Sequence, residues 1–312
     1  MNNSSSVVFL DLASLDKDDL DTSALRQRSA EFKAYPSTAP EQVQERIAGR
    51  TVVITNKVVI DDAAMQSNPA LRLILVAATG TNNIDLVAAE RLGIQVRNCQ
   101  AYGTPAVAQH TLMLMLVLIT RFESYRQAVK DGAWQRSSQF CLLDYPIAEL
   151  AGKTLGILGY GELGQAVGRL AEAFGMHVIA GALPGRPHAD RPELAALLPQ
   201  VDVLSLHCPL TEHTRNMLDA QALALMKPGS LLINAARGGL VDEQALVDSL
   251  RSGHLGGDAC DVLSVEPPVD GNPLLANDIP NLVITPHSAW GSREARQRIV
   301  GQLADGLSTV AE

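Results

Sequence analysis

An apolar run that ends in three closely spaced glycines leaves a chain few ways to fold. Leu155 to Gly164 is such a run, with glycines at Gly159, Gly161 and Gly164. The next ten residues carry Ala166, Val167, Leu170 and Ala171 at helical spacing, so the stretch predicts a strand, a tight turn and a helix. The first glycine lets the backbone reverse, the second lets a pyrophosphate come close, and the third lets the helix pack on the strand. Free N–H groups and the positive dipole end of the helix then face the phosphates. Glycine-rich turns also occur for purely structural reasons. The strand before and the helix after favour the dinucleotide site.

The rest of the chain alternates in the same way. Strands are expected at 7–12, 31–35, 51–55, 71–77 and 94–99, with helices near 21–29, 40–48, 61–66 and 85–92. Such alternation implies a parallel sheet covered on both faces, here without a phosphate loop. A long apolar helix is expected from Ala106 to about Lys130, with Thr104 as N-cap and Pro105 in its first turn. It should be buried between domains or between subunits. Residues 134–150 read as irregular, with Trp134, Phe140 and Tyr145 packing on a second subunit or back on their own chain. From Lys153 onward six strands are expected, at 154–158, 177–181, 202–207, 230–235, 256–260 and 282–285. Helices are expected at 162–174, 192–198, 219–226, 242–252 and 291–310. Six strands with a glycine-rich first turn match the doubly wound dinucleotide fold.

At 312 residues the chain favours two domains. A net charge of −9 argues against nucleic acid and against anionic membrane as partners. The residues Met1 to Ser6 carry no secretory signal, and the most apolar run, 111–120, is too short to span a bilayer, so a cytoplasmic protein is expected. Cys99, Cys141, Cys208 and Cys260 lack CxxC spacing and read as buried free thiols rather than disulfides, metal ligands or a nucleophile. His177, His188, His213 and His254 stand singly, so no metal site is expected. His110, on the apolar helix, reads as a core or interface histidine.

Ligands of a doubly wound sheet sit beyond the carboxyl ends of its strands. The residues there include Arg237 after 230–235, Asp261 and then Glu266 after 256–260, and His287 after 282–285. That set suits hydride exchange between a nicotinamide and a 2-oxo or 2-hydroxy acid. Arg237 offers a planar, permanently charged fork for carboxylate and carbonyl oxygens. His287 is of the type used for acid–base work near neutrality. Glu266 can hold its imidazole in one tautomer and favour the charged form.

Taken in order, the glycine turn, His207-Cys-Pro-Leu-Thr211, Asn234-Ala-Ala-Arg-Gly-Gly-Leu-Val-Asp-Glu243, Asp261-Val262 with Glu266-Pro267, and Thr285-Pro-His-Ser-Ala-Trp290 resemble the D-2-hydroxyacid dehydrogenases. Within that family the hydroxypyruvate and glyoxylate reductases, or glycerate dehydrogenases, are the most similar. The resemblance covers nearly the whole chain. It implies a Rossmann dinucleotide-binding domain over 100–288 and a smaller flavodoxin-like α/β substrate domain over 1–99 with 289–312. It assigns catalysis to Arg237, Glu266 and His287. It puts Thr104, Glu162, Leu163, Cys208, Pro209, Thr214, Ala235, Asp261 and His287 at the cofactor, beside Gly159, Gly161, Gly164, Ala236 and Arg237. Substrate contacts fall to Ala78 and Gly80 with Arg237 and His287; Trp290 either lines the same pocket or packs between domains. A homodimer through the nucleotide domain is implied, and the expected reaction is reduction of glyoxylate or hydroxypyruvate. Reduction of pyruvate or phenylpyruvate is the alternative, and cofactor-sensing corepressors share the motif set.

One stretch departs from the commonest family pattern. An NAD site carries Asp or Glu at the end of the second strand, where it accepts from the ribose 2′-OH. Here Ala182 stands in that place, no acid occurs from Gly175 to Ala189, and Arg186 follows in Leu183-Pro184-Gly185-Arg186. NADP(H) is therefore the preferred cofactor, with NAD(H) still open if Arg186 merely points into solvent.

Overall fold

The computed structural model describes residues 5–308. They fall into two compact units, one running through Gly103 and resuming at Trp290, the other Thr104–Ala289. The first unit is built on five parallel strands, β1 (Ser6–Phe9), β2 (Glu31–Ala34), β3 (Val52–Thr55), β4 (Leu73–Val76) and β5 (Gln95–Asn98), in the order β2-β1-β3-β4-β5. Short helices α1 (Ser23–Gln27), α2 (Val43–Ile47), α3 (Asp62–Gln66) and α4 (Leu86–Arg91) connect them. Asp61 and Asp85 cap α3 and α4 with their carboxylates, and Gly93 at φ +67° ends the last turn of α4. The continuous apolar runs of β3 and β4 are wholly buried, as a sheet covered on both faces requires.

The second unit opens with α5 (Thr104–Ile119), α6 (Phe122–Lys130) and α7 (Ala133–Arg136). Here the single long helix expected from Ala106 to Lys130 is corrected: the chain bends by 61° between α5 and α6. No proline or glycine marks the break. Instead the Thr120 hydroxyl bonds back to the Leu116 carbonyl at 2.5 Å and Arg121 takes up φ +54°. Thr104 lies within the helix rather than ahead of it.

There follow β6 (Thr154–Leu158), α8 (Glu162–Ala173), β7 (His177–Gly181), α9 (Leu194–Leu197), β8 (Val203–Leu206), α10 (Ala220–Leu225), β9 (Leu231–Asn234), α11 (Glu243–Arg251), β10 (Gly257–Cys260) and β11 (Leu282–Ile284). The strands are parallel, in the order β11-β10-β9-β8-β6-β7. One face is covered by Leu114, Met115 and Leu118 of α5 with Val167 and Ala171 of α8, the other by Leu223 of α10 and Leu246, Val247 and Leu250 of α11. The final helix, α12 (Arg293–Leu307), packs on α1 and β4 of the first unit.

Cys99, Cys208 and Cys260 are buried free thiols, but Cys141 is partly exposed, because the segment around it folds as open loop rather than core. Among the described residues no single helix is long and apolar enough to cross a membrane. The expected polar start at Met1–Ser6 lies mostly outside the described residues, as do positions 309 and 310 of the last expected helix.

Candidate active site

In the second unit the strand order reverses at β6, which has β7 on one side and β8 on the other. The crevice at its carboxyl end is where such a sheet takes a ligand. Gly159 has φ +96°, and a side chain on it would come within 2.5 Å of the His207 carbonyl. One on Gly164 would strike the Gly159 carbonyl. Both glycines thus answer to the protein's own packing. Gly161 does not, for nothing stands within 4 Å of where its side chain would be. Open space at the head of the twelve-residue helix α8 is what a dinucleotide's pyrophosphate needs. The Glu162 carboxylate accepts from the Thr104 hydroxyl at 2.6 Å, which ties this helix start to α5.

Beyond β9, β10 and β11 lie the residues that carry charge. Because these strands are neighbours, their terminal loops share one mouth. The Arg237 side chain is partly buried and donates one bond, Nη1 to the Ala236 carbonyl at 2.6 Å. Any side chain on Gly238 would collide with the backbone of Leu263, so this glycine lets the Arg237 loop press against the loop that carries Glu266. That second loop is pinned by Glu243 of α11, which accepts from Ser264 N, Ser264 Oγ and Asn272 Nδ2 at 2.7–2.8 Å. Within it Glu266 Oε1 accepts from Leu263 N at 2.8 Å, and Oε2 meets His287 Nδ1 at 2.6 Å. With Nδ1 engaged, Nε2 is the nitrogen left to face a substrate. The two side chains are about one-third exposed, open enough to be reached.

His287 itself sits at φ +51°, a conformation most residues avoid. Asp261 holds it there. Its main-chain carbonyl accepts from His287 N at 2.7 Å, and its buried carboxylate accepts from Thr285 Oγ1 (2.6 Å), Ser288 N (2.8 Å) and Ala289 N (2.9 Å). His110 completes the cluster, with Nε2 3.0 Å from Thr285 Oγ1 and 3.6 Å from Asp261 Oδ1. Burial pushes the His110 imidazole down from its ordinary value, against the pull of Asp261. His110 is thus a core histidine whose position underlies the His287 segment. Nothing in its surroundings in the sequence signals this. The Asp261 anchor rests likewise on contacts between separate strands.

The other expected cofactor positions divide by exposure. Pro209 is exposed, and Leu163 and Ala235 are half-buried. Cys208, Thr214, Ala236 and Ala182 are buried. Burial raises the Cys208 thiol to about 11, so it stays neutral. The Thr214 hydroxyl is committed to the Pro209 carbonyl at 2.8 Å, and Ala182 N donates to Pro192. Arg186 is exposed. His207 pairs through Nε2 with Ser205 Oγ, and burial pushes its imidazole down to about 4. Ala78, Gly80 and Trp290 belong to the first unit. Ala78 is buried and its carbonyl accepts from Cys99 N, while Trp290 meets Tyr102 edge-on at 6.4 Å.

Comparison with known proteins agrees with these features. Residues 112–289 match the family described as D-isomer specific 2-hydroxyacid dehydrogenase, NAD binding domain. The glycerate dehydrogenase of Methylorubrum extorquens is 44% identical over 96% of this chain and 94% of its own. The hydroxypyruvate reductase of Blautia hydrogenotrophica is 38% identical, over 96% and 95%. Among solved structures, the D-lactate dehydrogenase of Aquifex aeolicus, determined with NAD and lactic acid, superposes with a TM-score of 0.80 at 27% identity, covering 98% of this chain and 95% of that one. With this family model covering more than half of the chain and relatives this similar over nearly all of it, the chain belongs to the D-isomer specific 2-hydroxyacid dehydrogenase family.

Proposed function

We propose that the protein reduces a small 2-oxo acid, glyoxylate or hydroxypyruvate, to the D-2-hydroxy acid, taking its hydride from NADPH in preference to NADH. The observation that carries the reading is the 2.6 Å pairing of His287 with Glu266. A reduced nicotinamide, when bound, supplies the hydride. The rest falls to side chains. Arg237 binds the substrate carboxylate, and its fork holds the 2-oxo group in a fixed direction. The His287 Nε2–H gives its proton to the carbonyl oxygen as that oxygen gains charge, which leaves the imidazole neutral. Glu266, by accepting from Nδ1–H, fixes the ring's orientation so that Nε2 is the nitrogen turned to the substrate. In oxidation the same groups run in reverse, with His287 taking the hydroxyl proton.

Support for the cofactor preference comes from Ala182, which leaves the end of β7 without a carboxylate, and from the exposed Arg186 after it. Support for a homodimer comes from α5 and the loop after α7. Leu112, Met113, Leu116, Val117 and Phe122 line a shallow apolar groove, and Trp134, Phe140, Leu143 and Ile147 are exposed. Free thiols agree with a reducing compartment such as the cytoplasm.

One panel tests the whole reading: glyoxylate, hydroxypyruvate, pyruvate and phenylpyruvate, each with NADPH and NADH. The highest kcat/KM is expected for one of the first two with NADPH. A maximum with phenylpyruvate would overturn the substrate, and a higher kcat/KM with NADH the cofactor.

A further inference from the structure

The loops that follow β7 and β8 touch each other, although β6 lies between those two strands. After β7 the chain turns at Leu183–Arg186, with Arg186 N donating to the Leu183 carbonyl at 2.9 Å. Proline in the second position and glycine at φ +73° in the third are what a type II turn requires. The space that a side chain on Gly185 would need is already taken. Its Cβ would lie 2.5 Å from both Cγ and Cδ2 of His213, so the imidazole rests against the backbone one residue before Arg186.

His213 comes from the loop after β8, and that loop is stiff. Thr211 N donates to Thr214 Oγ1 at 2.8 Å, Thr214 Oγ1 donates to the Pro209 carbonyl, and Arg215 N donates to the Thr211 carbonyl at 2.9 Å. The ring is exposed, and neither of its nitrogens makes a hydrogen bond with any described residue. Arg191 stands over Tyr160, the residue between the first two glycines of the β6 turn, at 5.7 Å. An imidazole with free N–H capacity therefore rests against one short turn that ends in Arg186, after a strand, β7, that closes on Gly181 and Ala182 without a carboxylate of its own.

We propose that His213 is a specificity-determining residue for the cofactor: it donates a hydrogen bond to the 2′-phosphate of NADP(H) while Arg186 binds the same group through its fork. This rests on the NADPH reading above and adds a second recognition element to it. Gly185 then has a reason beyond the turn itself, since any larger residue would push His213 away from Arg186. Two donors from separate loops also discriminate better than one mobile arginine, because each alone can swing away from the phosphate.

The test uses 2′,5′-ADP and 5′-AMP, which differ only in the 2′-phosphate, as probes in calorimetric titrations of the full chain. Wild type is compared with Arg186→Ala, His213→Ala and His213→Phe. Phenylalanine keeps a flat ring against Gly185 and removes both nitrogens. The expected result is a preference for 2′,5′-ADP in the wild type that falls about tenfold in His213→Phe and in His213→Ala alike. If His213→Phe keeps the wild-type preference, the ring is only a buttress and the proposal fails by itself. If wild type binds the two probes equally, the NADPH reading fails and takes the proposal with it.

Discussion

The two units are parallel sheets with the same kind of crevice, and they fill it differently. In the first unit the order reverses at β1, between β2 and β3, just as it reverses at β6 in the second. At the end of β1 the chain's own carboxylate takes up backbone donors of the next loop: Asp11 accepts from Asn56 N at 2.9 Å and Lys57 N at 2.7 Å. At the end of β6, Gly161 stands open before the N-terminus of α8, with nothing within 4 Å of where its side chain would be. A fixed anion occupies one crevice, whereas the other is left for a mobile one.

The sharpest way to break this comparison is to remove the chemistry from the second unit alone. His287→Ala should lower kcat by about 10²- to 10⁴-fold, the usual cost of losing a general acid. Its cofactor affinity, read by fluorescence titration, should move far less. Near-normal kcat would rule His287 out as proton donor. Next in size, Arg237→Ala should lose about 2–5 kcal/mol in kcat/KM, because a bound carboxylate is left without its partner. Arg237→Lys should recover only part of that loss, and full recovery would show that a point charge suffices.

How much of this was legible in the sequence follows from the range of the interactions involved. Strands β6 and β7 occupy the expected 154–158 and 177–181, since each is a short apolar run closed by glycine or a polar neighbour. The bend at Thr120–Arg121 was not legible, because it arises from a side-chain bond to the preceding turn rather than from a breaker residue. The stretch 192–198 shrinks to the four-residue α9 followed by a turn through Pro199, which cannot continue a helix hydrogen-bond ladder. Arg237, Glu266 and His287 follow β9, β10 and β11 as the sequence expects. The anchoring of His287 by Asp261, Thr285 and His110 was not legible, as it joins residues up to 175 positions apart.

The two units also bury their acids differently. Asp11 is buried with two N–H donors, whereas Asp258, in the middle of β10, is wholly buried with neither oxygen hydrogen-bonded among the described residues. Burial raises its carboxyl from 3.8 to about 8, with the Cys260 thiol as a weak polar neighbour. A folded-state value above the unfolded one gives stability that is complete below pH 4 and lost as pH rises toward 8. Asp258→Asn stays neutral throughout and should be more stable than wild type near pH 8 by roughly 5 kcal/mol, the four-unit rise at about 1.4 kcal/mol per unit. Near pH 4 the two should converge in urea unfolding. A constant difference across that range would show that Asp258 does not titrate with folding.

The smallest expected effects separate the glycines of the open crevice from one another. Gly164→Ala should cost about 1–3 kcal/mol of stability, because its Cβ would meet the Gly159 carbonyl and the Ile157 side chain, and main chain cannot give way cheaply. Gly161→Ala should leave stability almost unchanged, since φ −86° suits alanine and nothing lies within 4 Å. Its cost should fall on the cofactor instead, as a rise in dissociation constant of about tenfold, or ~1.4 kcal/mol. Urea unfolding and a cofactor titration on both variants decide the matter. Equal cofactor affinity in Gly161→Ala and wild type would mean that the open space at this helix start is not where the pyrophosphate lies.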